Sequence, residues 1–263
     1  MYIIPEDFKK FISSDCDRLS FIRNYLLNSG IECPVIPVEG KNHIYVKFPL
    51  RQYNPMFRIK TVIAHYDRFP GSPGANDNSA AVFCMMEWAR KLIQRQDFHN
   101  IRLIFTDGEE LGEGDVSQQG AFGLAKLFSK LGIKNDDVFV FDCMGRGNVP
   151  VICQIDLPQG MSSAFISRFN ELEKRAIKII SEGSGGKWFK VKANYSDNAG
   201  FILNGIPACA ISMLPSKEIS SQEITTWNLL HTPLDDIRSL TPEAFEITGK
   251  ILNSLADARF FLE

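Results

Sequence analysis

The segment AHYDRFPGSPGANDNSAA (residues 64–81) follows an apolar run, IKTVI, that predicts a buried β-strand. It places a histidine and two aspartates, His65, Asp67 and Asp77, at the end of that strand and in the loop that follows. The glycines and Pro73 between them predict a tightly turning loop, which would bring Asp77 back towards the strand end. An imidazole and carboxylates collected at the mouth of a strand favour the hypothesis of a catalytic or metal-binding site.

The rest of the chain alternates between strand-like and helical patterns, which predicts an α/β fold. Apolar runs at 58–67, 100–110 and 137–145 each end in acidic residues, and their nearly continuous apolar character is typical of central strands covered on both faces. Because sites in open α/β sheets form beyond the carboxyl ends of strands, we expect these three ends to share one crevice. The helical patterns lie at 79–96, 119–132, 161–181, 197–204 and 241–262.

Further strand-like stretches occur at 43–48, 149–156, 187–193 and 207–214. Some of them are hairpin-like neighbours, so the sheet is predicted to be mixed, with helices on both faces. Near the start of the chain, residues 8–31 carry apolar side chains at helical spacing and predict a helix that ends at the Asn-Ser-Gly stretch.

Composition limits the classes of partner. The chain has 263 residues, 44% of them hydrophobic, which is enough for one core, so we predict a single domain over residues 1–263. A formal net charge of −2 gives no electrostatic reason to expect nucleic acid or an anionic membrane as a partner. The six cysteines form no CxxC pair and several lie in apolar runs, which is typical of buried free thiols.

The N-terminal residues, MYIIPEDFKKFISSD, carry acids and lysines where a signal peptide needs an apolar run. No stretch approaches the roughly 20 apolar residues of a membrane span. The sequence therefore predicts a cytoplasmic protein, with secretion left open if a leader has been trimmed.

Five side chains at the strand ends and near the C-terminus are candidate metal ligands. Taken singly, most have an ordinary structural interpretation, because aspartates after strands often cap helices or turns and adjacent glutamates are often solvated. Gathered in one crevice without a cation, these groups would repel and desolvate one another, and a divalent metal removes that cost. The five candidates are His65, Asp77, Glu110, Asp142 and His231.

Imidazole and carboxylate donors without thiolates suit zinc, cobalt or manganese, and the combination is closer to catalytic than to structural zinc sites. Two ions about 3.5–4 Å apart, bridged by a carboxylate, are a common hydrolytic arrangement. We therefore expect Zn²⁺, two ions per chain, with Co²⁺ or Mn²⁺ as alternatives.

Five motifs occur in an order and spacing that resemble the M28 family of zinc aminopeptidases: AHYD, GANDNSAA, TDGEELG, FDCMG and HTPLDDI. Each motif is weak alone, but the five together are specific, and they cover the chain from about Thr61 to its C-terminus. The resemblance implies a three-layer α/β/α sandwich around a mixed, mostly parallel central sheet. It also implies an exopeptidase acting on peptides or small aminoacyl substrates.

The resemblance assigns a role to each candidate. His65 and Asp142 would bind one zinc ion, Glu110 and His231 the other, and Asp77 would bridge the two. Two further residues would be catalytic: Asp67 would orient the imidazole two residues before it, and Glu109 would be the general base.

The adjacent glutamates have a chemical logic of their own. A strand-to-loop turn can aim both side chains into one crevice, so that Glu110 ligates a metal while Glu109 stays free beside the attacking water. The free carboxylate then takes the proton of that water and later delivers it to the leaving amine. The reaction class is metal-assisted hydrolysis of an amide bond.

The chain departs from the family pattern at three places. The loop at 111–120 looks longer than usual, and together with 183–228 it is expected to shape the substrate pocket. Asn198 stands where a histidine is common, although Asp197 beside it would still face the site. Leu230 stands where some members place an oxyanion-stabilising tyrosine, and Tyr66 and Tyr195 are alternative sources of that hydroxyl.

Two other functions compete with the leading hypothesis of a di-zinc aminopeptidase. The first is a glutaminyl-peptide cyclotransferase with a single zinc, and the GANDN stretch argues for a peptidase instead. The second is a catalytically inactive binding relative, which the presence of every candidate ligand and of Glu109 disfavours. His43 and His99 are expected to be structural, and Trp227 is expected to pack.

Overall fold

The computed structural model describes residues 4–110, 114–193 and 195–262. Their strands form one sheet in the order β1-β2-β4-β3-β5-β8-β6-β7. The central strands β4, β3, β5 and β8 run parallel, as do β6 and β7, whereas the β1/β2, β2/β4 and β6/β8 pairs are antiparallel. The strands are β1 Val35–Val38, β2 Lys41–Val46, β3 Lys60–His65, β4 Ile101–Thr106, β5 Asp137–Phe141, β6 Val149–Gln154, β7 Phe189–Lys192 and β8 Ala208–Leu214.

Helices cover both faces of the sheet, so the predicted α/β/α sandwich with a mixed sheet is confirmed. Side chains alternate along the central strands. Val62 of β3 belongs to the core that includes residues of α1, α2, α3, α5 and α8, and Ile63 belongs to the core that includes residues of α4 and α6. The helices are α1 Glu6–Phe11, α2 Arg18–Leu27, α3 Ala80–Leu92, α4 Gly120–Lys130, α5 Ser163–Ser184, α6 Asn198–Leu203, α7 Ser216–Ser221 and α8 Pro242–Asp257.

The N-terminal helical pattern was wrong as a single element. Residues 12–17 separate α1 from α2, and the Asp17 carboxylate caps α2 by accepting a hydrogen bond from the Ser20 N–H at 3.1 Å. Strand β1 was not predicted, because Pro37 interrupts its pattern; a proline is tolerated there because β1 is an edge strand. The prediction of one domain over 1–263 stays a prediction.

Parallel pairing brings the polar ends of three strands together. His65 at the end of β3 lies beside Thr106 at the end of β4, and β5 pairs with the other side of β3. The segments that leave these strands, 66–79, 107–110 and 142–147, therefore emerge at one edge of the sheet. The six cysteines are free thiols and five of them are buried. Within the described ranges, no helix has both the length and the apolar character needed to cross a membrane.

Candidate active site

The carboxylate of Asp77 lies between two histidines. Its Oδ1 is 3.1 Å from Nε2 of His65, and its Oδ2 is 3.4 Å from Nε2 of His231. Asp77 sits in the turn that precedes α3, and Gly74, whose φ of +60° requires the left-handed region, starts that turn. The two oxygens of one carboxylate are thus directed to two separate groups of donors.

The first group consists of His65, Asp77 and Asp142. His65 is fully buried at the end of β3, and its Nε2 is 3.6 Å from Oδ1 of Asp142, which follows β5. One donor atom from each residue lies within 4.8 Å of the others, a spacing that a single metal ion can span.

The second group consists of Asp77, Glu110 and His231. Nε2 of His231 is 3.0 Å from Oε2 of Glu110, and these atoms again lie within 4.8 Å of one another and of Asp77. The His231 side chain is 50% exposed, whereas that of Glu110 is only 3% exposed. The backbone of His231 has a φ of +60°, which a residue with a side chain rarely adopts away from a turn or a functional site.

Several buried polar atoms of this cluster find no hydrogen-bond partner among the residues that the structure describes. They are both ring nitrogens of His65, Oε1 of Glu110 and Oδ1 of Asp142. A buried polar atom without a partner is costly. Bound cations would satisfy Nε2 of His65, Oε1 of Glu110 and Oδ1 of Asp142, whereas Nδ1 of His65 lies on the side of Asp67. The donor set, without a thiolate, fits zinc or a similar divalent ion.

The close packing of carboxylates and imidazoles in this cluster shifts the pKa values of several of them. Burial, followed by the negative charge of Asp77, raises the pKa of Glu110 to about 8. Burial likewise holds the pKa of Glu109 well above its ordinary value. Although burial opposes it, the neighbouring carboxylates, Asp142 first, raise the pKa of His65. A carboxylate-rich pocket of this kind favours a cation.

Asp67 connects the ends of β3 and β4. Its carboxylate accepts hydrogen bonds from the N–H groups of Glu109 (3.2 Å) and Glu110 (2.9 Å), and its Oδ1 is 3.6 Å from Nδ1 of His65. Asp67 therefore binds the backbone of both adjacent glutamates. It also lies beside the imidazole of His65, which it was predicted to orient.

Glu109 has a partner that the sequence did not indicate. Nε2 of Gln119 donates to Oε1 of Glu109 at 3.0 Å, so the carboxylate is held while it faces the cavity described below. Gln119 lies in the loop at 111–120 that departs from the family pattern; of this loop, residues 111–113 lie outside the described residues.

Asp235 is a second residue that was missed. Its buried carboxylate accepts from the N–H groups of Asn76 (2.8 Å) and Asp77 (3.0 Å), and burial raises its pKa to about 6. It belongs to the HTPLDDI motif, in which only His231 was predicted to have a role in the site. Its bonds join the loop of His231 to the turn that carries Asp77.

Asp197 is fully buried near this cluster. The hydroxyl of Thr106 donates to its Oδ2, its Oδ1 has no hydrogen-bond partner within the described ranges, and burial raises its pKa to about 7. The neighbouring Asn198 instead accepts a hydrogen bond from the Ser196 N–H at 3.1 Å. Asn198 thus serves the local turn.

A cavity of about 450 Å³ opens onto the cluster. Asp77, Glu109, Asp142 and His231 line one side of it, so all four side chains border the same space. Its other walls are formed by Lys192 and by largely apolar or small side chains: Cys143, Cys153, Ala193, Tyr195, Ser196, Ala210, Ser212, Trp227 and Leu230.

The remaining candidates lie elsewhere or have other partners. The Tyr66 hydroxyl donates to the Asn42 carbonyl at 2.7 Å, while Tyr195 lines the cavity. Nδ1 of His43 accepts from the Asp107 N–H at 3.2 Å, and Nδ1 of His99 accepts from a backbone N–H at 3.0 Å. Both histidines are buried, and both bond to backbone.

Comparison with known proteins points to one family. The model of the family described as peptidase family M28 matches residues 50–256, most of the chain. Aminopeptidase YwaD of Bacillus subtilis (strain 168) is 28% identical over 218 residues, which is 82% of this chain but 44% of that protein. The chain thus spans less than half the length of this curated relative.

Two solved structures are similar in fold. A zinc aminopeptidase from Bacillus subtilis is 25% identical and superposes with a TM-score of 0.60. The superposition covers 82% of this chain and 49% of the other. A glutaminyl cyclase from Porphyromonas gingivalis is 19% identical, with a TM-score of 0.68 and 95% of each chain covered. The fold is thus shared by an aminopeptidase and a glutaminyl cyclase, so the fold alone does not distinguish these two activities.

Proposed function

The chain belongs to peptidase family M28, and we propose that it is a di-zinc aminopeptidase that hydrolyses the N-terminal peptide bond of peptides or small aminoacyl substrates. The observation that carries the proposal is the position of Asp77, whose two oxygens are directed to His65 and His231. Each half of the cluster has three donors that share this carboxylate.

In this proposal His65, Asp77 and Asp142 hold one ion, and Asp77, Glu110 and His231 hold the other. When bound, zinc supplies Lewis acidity, which lowers the pKa of a nearby water and polarises a carbonyl oxygen. Cobalt or manganese would suit the same nitrogen and oxygen donors. The likeness to a zinc aminopeptidase supports zinc as the first choice.

Glu109 is the general base. It borders the cavity beside both donor groups, and burial raises its pKa, which makes the carboxylate a stronger proton acceptor than an exposed one. It takes a proton from the attacking water and delivers it to the leaving amine as the amide bond breaks. Gln119 fixes one carboxylate oxygen, and Asp67 fixes the backbone on which Glu109 stands.

The cavity supports a peptide substrate. Its small and apolar walls provide room for the first side chain of a peptide beside the donor groups. The wall residue Trp227 would then contact substrate as well as pack.

A glutaminyl-peptide cyclotransferase is the second candidate, and Asp197 is the observation that favours it. This buried carboxyl retains an oxygen with no hydrogen-bond partner in the described part of the chain. In an intramolecular cyclisation, such a group would help to manage the protons of the reacting amide.

One panel separates these functions. Purified protein, with and without added zinc, is incubated with aminoacyl chromogenic substrates and with a glutaminyl peptide, while zinc content is measured. Chromophore release with about two ions per chain supports the aminopeptidase. Cyclisation with one ion moves the protein to the transferase, and bound zinc with turnover of neither class contradicts both.

A further inference from the structure

Arg68 attaches the loop after β3 to the N-terminal part of the chain. Its Nη1 donates to the carbonyls of Ile12 (3.1 Å) and Ser13 (2.9 Å), and its Nη2 donates to that of Ser14 (2.7 Å). Three bonds from one guanidinium to consecutive carbonyls fix both the side chain and the backbone at position 68.

Arg18 makes the reciprocal connection. This buried side chain at the start of α2 donates from Nη1 to the carbonyls of Tyr66 (3.0 Å) and Asp67 (3.1 Å). Its Nη2 donates to the carbonyl of Pro73 (2.9 Å) and to the Ser79 hydroxyl (2.8 Å). The loop 66–74 is therefore held at its start by both arginines and at its end by Arg18. We call the two arginines with residues 12–14 the arginine clasp.

The loop that the clasp holds carries Phe69, whose ring stacks on the imidazole of His231. The ring centroids are 4.6 Å apart and the planes are inclined by 10°. His231 is the most exposed of the five candidate ligands, at 50%, and its backbone has an unusual positive φ. A flat ring against one face restricts rotation of the imidazole and keeps Nε2 directed to Glu110 and Asp77.

The two histidines are thus supported differently. Orientation of a ligand imidazole is normally set through its second ring nitrogen, and Asp67 lies 3.6 Å from that atom in His65. At His231, the corresponding support is the face of Phe69. Residues 12–18 precede the segment 50–256 that the family model matches, so the clasp draws on a part of this chain outside that match.

We propose that Phe69 is a positioning residue for His231, held in place by the arginine clasp, and that it sets the affinity of the metal ion bound by Glu110 and His231. The inference rests on the proposed function, because it needs that ion to bind. It assigns a role to the contact between the loop and the imidazole that neither the motifs nor the family membership supplies.

The test is a zinc titration of metal-free protein against a chromophoric chelator, which yields the affinity of each ion separately. Phe69→Ala is expected to lower the affinity for the ion bound by Glu110 and His231 by about tenfold, which is the low end of the effect of changing a residue that supports a metal ligand. The affinity for the other ion should stay within about twofold of wild type. Phe69→Tyr, which keeps the stacked ring, restores the affinity. Arg68→Lys weakens the same ion by a smaller factor.

Two controls keep the inference falsifiable. Phe169→Ala removes a ring stacked on Phe165 on α5, away from the site, and is expected to change neither affinity. In a His231→Ala background, Phe69→Ala is expected to have no further effect on zinc affinity, because its partner is gone. Melting of the metal-free variants checks that each one is folded.

The outcomes are distinct. Unchanged zinc affinities in Phe69→Ala, or an equal loss for both ions that tracks a lowered melting temperature, would overturn the positioning role while leaving the proposed function in place. A wild-type protein that binds no zinc would instead contradict the proposed function, and the positioning role with it.

Discussion

Both ends of the central sheet bury charged side chains, but they do so in opposite ways. At the amino ends of the strands each charge has a partner: Arg175 forms two hydrogen bonds with Asp137, at 2.7 and 2.9 Å, and Arg102 pairs with Asp136. Lys60, almost completely buried, donates to a backbone carbonyl at 2.6 Å. The two aspartates are paired with arginines, and the Lys60 amine has a carbonyl oxygen as its partner, so each of these groups is satisfied within the protein.

At the carboxyl ends, acids outnumber the groups that could neutralise them. Asp77, Asp142, Glu109 and Glu110 converge on one space, and atoms of Asp142 and Glu110 have no hydrogen-bond partner among the described residues. Desolvation is costly at both ends, so the contrast is informative. Where the protein supplies the counter-charges, the cluster stabilises the fold; where it does not, we infer that a bound cation does.

The largest effect is expected for Glu109→Gln. Activity should fall by about 10²–10⁴, because the amide cannot take a proton from the attacking water. Zinc content should be unchanged, and the metal-free variant should be at least as stable as wild type, since one buried carboxyl has been removed. Steady-state kinetics with zinc analysis measures both, and activity within about tenfold of wild type would contradict the role of the base.

The next effect concerns the amino ends of the strands, the matched end of the sheet, where the buried groups have partners within the protein. Asp137→Asn leaves Arg175, whose side chain is only 16% exposed, without its counter-charge, and should lower the free energy of unfolding by about 3 kcal/mol. The activity of the folded fraction should be unaltered, because this pair lies at the far end of the strands. Urea denaturation and steady-state kinetics test this prediction. A variant that loses activity while keeping its full stability would contradict the view that this pair serves the fold alone.

Zinc itself should act only at the unmatched end. At a free concentration about 100 times its dissociation constant, one ion should stabilise the protein by about 2.7 kcal/mol. Asp137→Asn should gain the same increment as wild type, although it starts from a lower stability. A smaller increment in Asp137→Asn would show that the two ends are not independent.

The last effect is a dependence of stability on pH, which is gradual and is set by Lys60 at the amino ends of the strands. Burial lowers the pKa of Lys60 from 10.5 to about 7. Between these values the unfolded chain holds a proton that the folded protein has released, so the stability contributed by this residue rises with pH, by at most about 1.4 kcal/mol per pH unit. The difference in unfolding free energy between wild type and Lys60→Met should therefore grow in favour of wild type from pH 7 to 10. A constant difference would show that Lys60 keeps its charge when folded.

Much of this organisation could be predicted from the sequence. Continuous apolar runs located the central strands, and the polar residues after them located the crevice, because parallel strands end at the same edge of a sheet. His65, Asp77 and Glu110 were predicted in this way as candidate ligands, and the structure brings their side chains close to one another. These signals are local, since each needs only a strand and the few residues that follow it.

The residues that were missed depend on contacts between loops. Asp235 bonds to the backbone of Asn76 and Gln119 bonds to Glu109, but neither contact leaves a periodic or motif signal. The sequence gives no signal for the roles of Arg18 and Phe69 either, because charged residues in helices and aromatic residues in loops are common in proteins. Loop conformation decides these partners, and it follows from the folded core.

The most direct measurement is the number of zinc ions that each protein binds per chain when zinc is added to its metal-free form. The proteins compared are wild type, Asp77→Asn and the control Asp137→Asn, which carries the same substitution at the other end of the sheet. If Asp77 links two donor groups, wild type and Asp137→Asn should bind about two ions, and Asp77→Asn should lose high-affinity binding of both. Two ions bound equally well by Asp77→Asn, or no ion bound by wild type, would contradict the inference that a cation balances the acids at this end of the sheet.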